Sequence, residues 1–161
     1  MLTPENLAAL GGFVLANFAA ASSGAVFRPG AWYAGLAKPP WTPPNIAFPI
    51  VWTILFVLNA VAGWLVWLAG GMDAAWALAL YGASLVVNAS WSAVFFGLRR
   101  MGLAFGIVLT LWVSIVGILA AFAPFSAAAA WMLAPYLVWV TIASALNLRV
   151  WQLNPQARVA V

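Results

Sequence analysis

Long apolar runs alternate with short polar breaks along the whole chain, and each run is continuous in hydrophobicity. At about 1.5 Å per residue, about 20 residues cross the roughly 30 Å hydrocarbon core of a bilayer. Only helices and closed barrels satisfy their backbone in lipid, and continuous runs are typical of helices. The pattern predicts an all-α integral membrane bundle of five transmembrane helices, at about residues 6–27, 46–69, 75–98, 102–122 and 128–148.

The first run has an alternative interpretation as a signal peptide, because AAASSGA offers small residues for cleavage. Its N-terminal region carries Glu5 and no lysine or arginine, which is not typical of a signal peptide, so we expect a membrane span. The connections after the second, third and fourth spans are only a few residues long, so consecutive helices should pack as antiparallel neighbours. We therefore expect one domain over residues 1–161.

The charged residues are few and sorted by side. Threading five spans places the two acidic residues, Glu5 and Asp73, on one side and all six basic residues on the other. The basic residues are Arg28, Lys38, Arg99, Arg100, Arg149 and Arg158. The positive-inside rule then predicts an outward N-terminus and an inward C-terminus. Six scattered cations form neither a patch nor a stripe, which argues against nucleic acid as a partner.

The chain contains no cysteine and no histidine. Disulfides, thiolate chemistry and imidazole metal ligands are therefore excluded, and we expect no metal site and no bound cofactor. No charged side chain falls inside a predicted span, so neither a proton relay nor an ion-coupling carboxylate is present there.

The first loop, about residues 28–45, is the one long connection, and it contains WYAGLAKPPWTPP between Trp32 and Pro44. Prolines restrict the backbone and aromatic rings supply large rigid surfaces, so we expect this loop to act as a lid. An interfacial aromatic belt would also account for Trp32. It does not account for the prolines around Trp41.

Several of the eleven tryptophans lie too deep in the predicted spans for a belt, among them Trp91 and Trp139. Asn88, Trp91 and Phe95 stand at i, i+3 and i+7 and so share one face of the third span. A buried amide needs a hydrogen-bond partner, which would be a neighbouring helix or a ligand for Asn88. Pro135 should kink the fifth span.

Small residues recur at four-residue spacing on the third and fourth spans. They are Ala75, Ala79 and Ala83, and Gly102, Gly106, Thr110 and Ser114. Such ridges let helices approach closely, either inside one chain or between two chains. A homodimer is one interpretation of this pattern.

Three blocks of sequence resemble the translocator protein family, also called tryptophan-rich sensory proteins or peripheral benzodiazepine receptors. They are WYAGLAKPPWTPP followed by Trp52, LVVNASWSAVFFG in the third span, and PYLVW followed by ALN and Trp151 in the fifth. The resemblance implies a five-helix membrane bundle, commonly dimeric. It also implies a pocket under the first loop that binds porphyrins, cholesterol-like sterols and benzodiazepine-type ligands.

The same resemblance assigns residues to the lid and to the pocket. The lid would contain Trp41, Pro43 and Pro44. The pocket would contain Tyr33, Trp52, Asn88, Trp91, Trp139 and Ala143, with Phe56 where some members have tyrosine. Trp52 and Trp139 are the two indoles that a catalytic, light-dependent breakdown of porphyrin would use.

The sterol motif of animal members needs a tyrosine where ALNLRVW has Leu148, which favours porphyrin over sterol as the ligand. The leading hypothesis is therefore a receptor or carrier for tetrapyrroles with a regulatory or stress-related role. A porphyrin-degrading enzyme and a passive transporter or assembly scaffold are the alternatives. The resemblance allows a bacterial envelope membrane or the mitochondrial outer membrane, and the alanine-rich composition with a short tail favours the bacterial one.

Overall fold

The computed structural model describes residues 3–158, and these form helices and turns without a strand. The helices are α1 (Pro4–Val26), α2 (Ala31–Ala34), α3 (Ala47–Gly70), α4 (Ala75–Ser92), α5 (Met101–Phe122), α6 (Ala127–Met132) and α7 (Ala134–Leu153). Short 3₁₀ turns lie at Gly71–Ala74 and Gln156–Arg158. The all-helical class predicted from the apolar runs is confirmed.

Polar side chains fix where two of the helices begin. The Thr3 hydroxyl accepts a 3.2 Å hydrogen bond from the backbone N–H of Asn6, and Pro4 occupies the first turn of α1. The Ser126 hydroxyl accepts a 3.2 Å bond from the backbone N–H of Ala129 at the start of α6. Each cap satisfies a backbone donor that the first helical turn leaves without a partner.

Four helical stretches of the described chain are long and apolar enough to cross a membrane, and one of them, Ala47–Gly97, has 51 residues. That stretch contains both α3 and α4, which meet at the turn where Gly71 has a φ of 49°. The Tyr81 hydroxyl on α4 donates a 3.1 Å bond to the carbonyl of Asn59 on α3. Because residues 59 and 81 are equally far from Gly70, the two helices run antiparallel, and the crossings number five as predicted.

Two spans differ from their predicted bounds. The third crossing ends in a π-helical turn, Ala93–Gly97, instead of regular α-helix. The fifth crossing is divided into α6 and α7 at Leu133, just before Pro135, whose missing N–H prevents a regular helix there. α7 continues to Leu153 instead of ending near 148. An α-helix satisfies its own backbone hydrogen bonds, so it can extend beyond the apolar run that predicted it.

Side-chain contacts give the helix directions. Asn88 contacts Tyr136 and Trp91 contacts Asn147, so α4 and α7 run parallel. The Phe27 ring packs on Gly97, where an added Cβ would lie only 2.9 Å from the ring. This contact shows that the first and third loops lie at the same end of the bundle.

Charge is therefore separated along the bundle axis. The basic residues of the first and third loops lie at the same end as the C-terminal part of α7, because Ala37 of the first loop contacts Asn154. Glu5 lies at the opposite end, where the Trp64 indole donates a 2.8 Å bond to the carbonyl of Asn6. The charge sorting that the sequence predicts is present in the fold.

Candidate ligand site

An aromatic layer lies between α3 and α7, and its rings are Phe48, Trp52, Phe56, Tyr136 and Trp139. Trp52 stacks on Phe56 with ring centroids 5.6 Å apart, and its edge meets Tyr136 at 6.0 Å. Phe48 meets Trp139 edge to face at 5.6 Å. Phe48, Trp52 and Phe56 are one helical turn apart on α3, so a single face of that helix supplies three of the five rings.

Asn88 joins this layer from α4. Its side-chain amide, 7% exposed, donates a 2.6 Å hydrogen bond to the hydroxyl of Tyr136. The sequence predicts that Asn88 bonds either a neighbouring helix or a ligand, and in the structure it bonds the neighbouring helix α7. A ligand role for Asn88 stays a prediction.

The indole nitrogen of Trp139 is buried and has no hydrogen-bond partner within the described chain. Three other indoles do have acceptors. Trp64 donates to the Asn6 carbonyl at 2.8 Å and Trp91 to the Asn147 side chain at 3.0 Å, and the more exposed Trp112 donates to the Thr141 hydroxyl at 2.8 Å. Leaving a buried donor without a partner costs about 1–3 kcal/mol. Trp139 therefore offers an unused N–H inside the aromatic layer.

A second group of rings, here called the loop clamp, holds the first loop on α4. It consists of Trp32 and Tyr33 from the loop and Trp91, Phe95 and Phe96 from the end of α4. Tyr33 meets Phe95 at 6.1 Å and Phe96 at 5.4 Å, and Trp32 meets Phe95 at 5.9 Å. Phe95 and Phe96, consecutive residues of the π-helical turn, both contact Tyr33.

Two cations cover the outer side of the loop clamp. The Lys38 ammonium lies 4.5 Å from the centre of the Tyr33 ring, and the Arg99 guanidinium lies 5.9 Å from that of Trp32. Burial raises the pKa of Tyr33 above its usual value, so the phenol stays neutral at physiological pH. Arg99 adopts a φ of 57°, an uncommon conformation outside glycine, and this turn directs its side chain over the loop.

The first loop contains one predicted pocket residue, Tyr33, and the three predicted lid residues. Tyr33 is buried in the loop clamp, whereas Trp41 of the lid is 48% exposed and makes no ring contact with any described residue. Pro43 is half-buried and Pro44 is exposed. The packed part of the loop is thus its first half, and Trp41 lies in the second half.

Two hollows are present at the surface. One, about 600 Å³, is a groove along α4 and α5 lined by Leu80, Leu109, Thr110, Val113, Ser114 and Gly117. The other, about 580 Å³, is lined by residues of the 31–36 segment of the first loop and by residues 153–157, beside the contact between Ala37 and Asn154. Neither is lined by Trp52, Asn88 or Trp139. Where the pocket is expected from the sequence, Trp52 contacts Phe56 and Tyr136.

The fold brings most of the predicted site residues together. Trp52 contacts Phe56, and both Trp52 and Asn88 contact Tyr136. Trp139, one turn after Tyr136 on α7, contacts Phe48. Tyr33 and Trp91 both contact Phe96 in the loop clamp. Ala143, half-buried, lies one turn beyond Trp139 on α7. That these residues bind a ligand stays a prediction.

Sequence reasoning did not assign roles to three residues that hold the site together. Tyr136 links Trp52 to Asn88, Phe48 contacts Trp139, and Asn147 accepts the Trp91 indole N–H. A signal for two of them exists, because Tyr136 and Asn147 stand at i−3 and i+8 from Trp139 and so share its face of α7.

Five apolar crossings around an interior of indoles and amides define an integral membrane protein of the helical-bundle class. The chain belongs to the TspO/MBR family, whose sequence profile matches residues 9–152. It is 37% identical over 148 residues to Protein CrtK of Rhodobacter capsulatus, covering 89% of this chain and 91% of that protein.

Two further relatives extend the family from bacteria to animals. A tryptophan-rich sensory protein of Cereibacter sphaeroides is 38% identical over 149 residues, covering 91% of this chain and 93% of its own. The translocator protein of Bos taurus is 36% identical over 155 residues, covering 94% of this chain and 88% of that protein. The likeness to each of these relatives therefore spans nearly the whole length of both chains.

Proposed function

We propose that the chain is a membrane receptor or carrier that binds a tetrapyrrole in the aromatic layer. The observation that carries this proposal is the buried indole N–H of Trp139, which has no partner although it lies among the rings of α3 and α7. The layer lacks an acceptor for this N–H. A porphyrin carries carboxylate acceptors on a flat apolar ring that can stack on the aromatic side chains.

The layer suits a flat, largely apolar molecule. Its side chains are aromatic rings and one amide, with no charged group among them, so a ligand would gain from ring contact rather than from ion pairing. The charged groups near the loop are Lys38 and Arg99, which lie over the loop clamp. A tetrapyrrole whose ring enters the layer could leave a propionate near these cations.

The names of the relatives support a receptor role over a purely structural one. One relative is named a sensory protein and another a translocator protein. A regulatory or stress-related role in this chain would follow from ligand occupancy of the aromatic layer. Sterols and benzodiazepine-type molecules also offer flat apolar frames with an acceptor oxygen, and competition against porphyrin would rank them.

Binding requires the rings to separate. Trp52 contacts both Phe56 and Tyr136, so a ligand that enters the layer would have to part these rings. A ligand would replace ring-to-ring contacts by ring-to-ligand contacts of similar chemistry. This exchange keeps the energetic cost of opening low.

The test is quenching of tryptophan fluorescence by protoporphyrin, with the purified protein in detergent or nanodiscs. We expect saturable quenching in the unaltered chain and at least tenfold weaker binding in Trp139→Phe, since a ligand acceptor then loses its donor. Trp131→Phe is the matched control, because Trp131 is 76% exposed toward the surroundings. Equal affinity in both variants, or no saturable quenching at all, would overturn the proposal.

The remaining parts of the proposal concern the setting. We place the N-terminus outside and the C-terminus inside, because the end with Lys38, Arg99 and Arg100 is the basic one. A homodimer is supported by Gly106 on α5, where an added Cβ would meet nothing within 4 Å, so this small residue is not used for packing inside the chain. The proposed setting is a bacterial envelope membrane.

A further inference from the structure

The first loop is tied to the C-terminal end of α7 by one side chain. The Asn154 carbonyl oxygen accepts a 2.9 Å hydrogen bond from the backbone N–H of Ala37, and its amide nitrogen donates a 2.9 Å bond to the carbonyl of the same residue. The side chain thus pairs with both backbone groups of one residue, 117 positions away in the chain. It mimics the pairing of a neighbouring strand.

Asn154 is itself held in place. Its amide nitrogen also donates a 2.7 Å bond to the carbonyl of Val150, one turn earlier at the end of α7. Val150 is fully buried, so the helix end that carries Asn154 is anchored in the core. The loop is therefore attached to a fixed point rather than to a mobile tail.

The loop divides into two halves at Pro39. The first half, residues 31–38, is held by the loop clamp, by Lys38 over Tyr33 and by Asn154. The second half, residues 40–46, has local hydrogen bonds only: Thr42 to the Pro39 carbonyl and, just beyond, Ala47 to the Pro44 carbonyl. Trp41 and Ile46 are 48% and 67% exposed, so little apolar burial holds this half.

We propose that Asn154 is a latch that keeps the first half of the loop on α7, and that its release controls access to the aromatic layer. Phe48 of that layer packs against the buried cluster that contains Tyr33 and Leu36. While the latch is closed, only residues 40–46 are free to move. When it opens, the loop clamp is the remaining attachment and residues 31–38 can leave together with Tyr33. The statement about access rests on the proposed function, whereas the latch itself does not.

The latch is tested without ligand by hydrogen–deuterium exchange of the full chain in nanodiscs, followed by mass spectrometry. In Asn154→Ala the amide of Ala37 loses its acceptor, so we expect residues 35–38 to exchange about fivefold faster or more. Exchange in residues 40–46 should change less, because that half is already loosely held. Unchanged exchange at residues 35–38 would overturn the latch.

Two further variants separate the latch from a general disturbance of the helix end. Asn154→Asp keeps the oxygen that accepts from Ala37 and loses the donor, so its effect should fall between those of the unaltered chain and Asn154→Ala. Gln152→Ala removes a surface partner of Arg149 on the same turn and should leave residues 35–38 unchanged. Equal acceleration in Gln152→Ala would assign the effect to helix fraying and overturn the latch.

Control of access is tested by stopped-flow mixing with protoporphyrin. Both association and dissociation should be about fivefold faster in Asn154→Ala, with a dissociation constant within about twofold of the unaltered chain's. If hydrogen–deuterium exchange at residues 35–38 is faster but the porphyrin association and dissociation rates are unchanged, control of access is overturned and the latch is retained. Absence of porphyrin binding in the unaltered chain would overturn the proposed function, and the exchange result would still decide the latch.

Discussion

The amide nitrogen of Asn88 lies 2.6 Å from the hydroxyl oxygen of Tyr136, and this hydrogen bond joins α4 to α7 beside the Trp52 ring. Tyr136 is among the most deeply buried side chains of the protein, 2% exposed. The pair therefore forms a polar link inside a largely apolar core. Its two ends come from spans that are far apart in sequence.

Tyr136→Phe should destabilise the protein by about 1–3 kcal/mol, because the Asn88 amide then loses its acceptor while it stays buried. Thermal unfolding in detergent measures the change. The double variant Asn88→Leu with Tyr136→Phe removes both partners and should lose less than the sum of the two single variants. Simple additivity would show that the hydrogen bond contributes nothing to stability.

Asn147→Leu should be more harmful than Tyr136→Phe. The Asn147 side chain accepts from the Trp91 indole at 3.0 Å and donates to the carbonyl of Met101 at 2.9 Å, so its loss leaves two groups without partners. We expect a loss of about 2 kcal/mol or more in unfolding free energy. Asn147→Asp retains the acceptor for Trp91 and should recover part of that loss; equal losses in the two variants would contradict this assignment.

Gly63→Ala should weaken the packing of α1 on α3. A Cβ at Gly63 would lie 2.8 Å from the Phe13 ring, closer than real Cβ contacts, so that ring or the helix that carries it must shift. The expected cost is about 1–3 kcal/mol by thermal unfolding. Gly82→Ala is the matched control, because its Cβ meets nothing within 4 Å and alanine favours helix, so it should be neutral or slightly stabilising.

The receptor proposal and the enzyme alternative differ under illumination. If the chain only binds protoporphyrin, light-dependent loss of porphyrin absorbance should proceed at the same rate with the unaltered chain and with Trp52→Phe. Trp52 stacks on Phe56, and phenylalanine at position 52 preserves an aromatic ring there. Slower loss in Trp52→Phe with undiminished binding would favour catalysis.

Much of the fold follows from local sequence properties. The apolar runs, the sorted charges and Pro135 predict five crossings, their alternation and the division of the last one at Leu133. Each depends on a property of the chain within one span or one loop. The interruption by proline needs no knowledge of the neighbouring helices.

The details of the site depend on distant parts of the chain and could not be predicted in this way. Asn154 pairs with Ala37 across 117 positions, and the π-helical turn after α4 has no local signal comparable to proline. The exposure of Trp41 is likewise set by which half of the loop the Phe95 and Phe96 rings hold. Composition identified the aromatic residues but not their partners.

The most direct test of the account is the NMR signal of the Trp139 indole N–H in protein labelled with ¹⁵N-tryptophan, assigned by comparison with Trp139→Phe. The N–H is buried and unpaired without ligand, so saturating protoporphyrin should shift its proton resonance downfield as a hydrogen bond forms. The signal of Trp131, which is 76% exposed, should stay in place. An unmoved Trp139 signal in protein that has bound porphyrin would contradict the account.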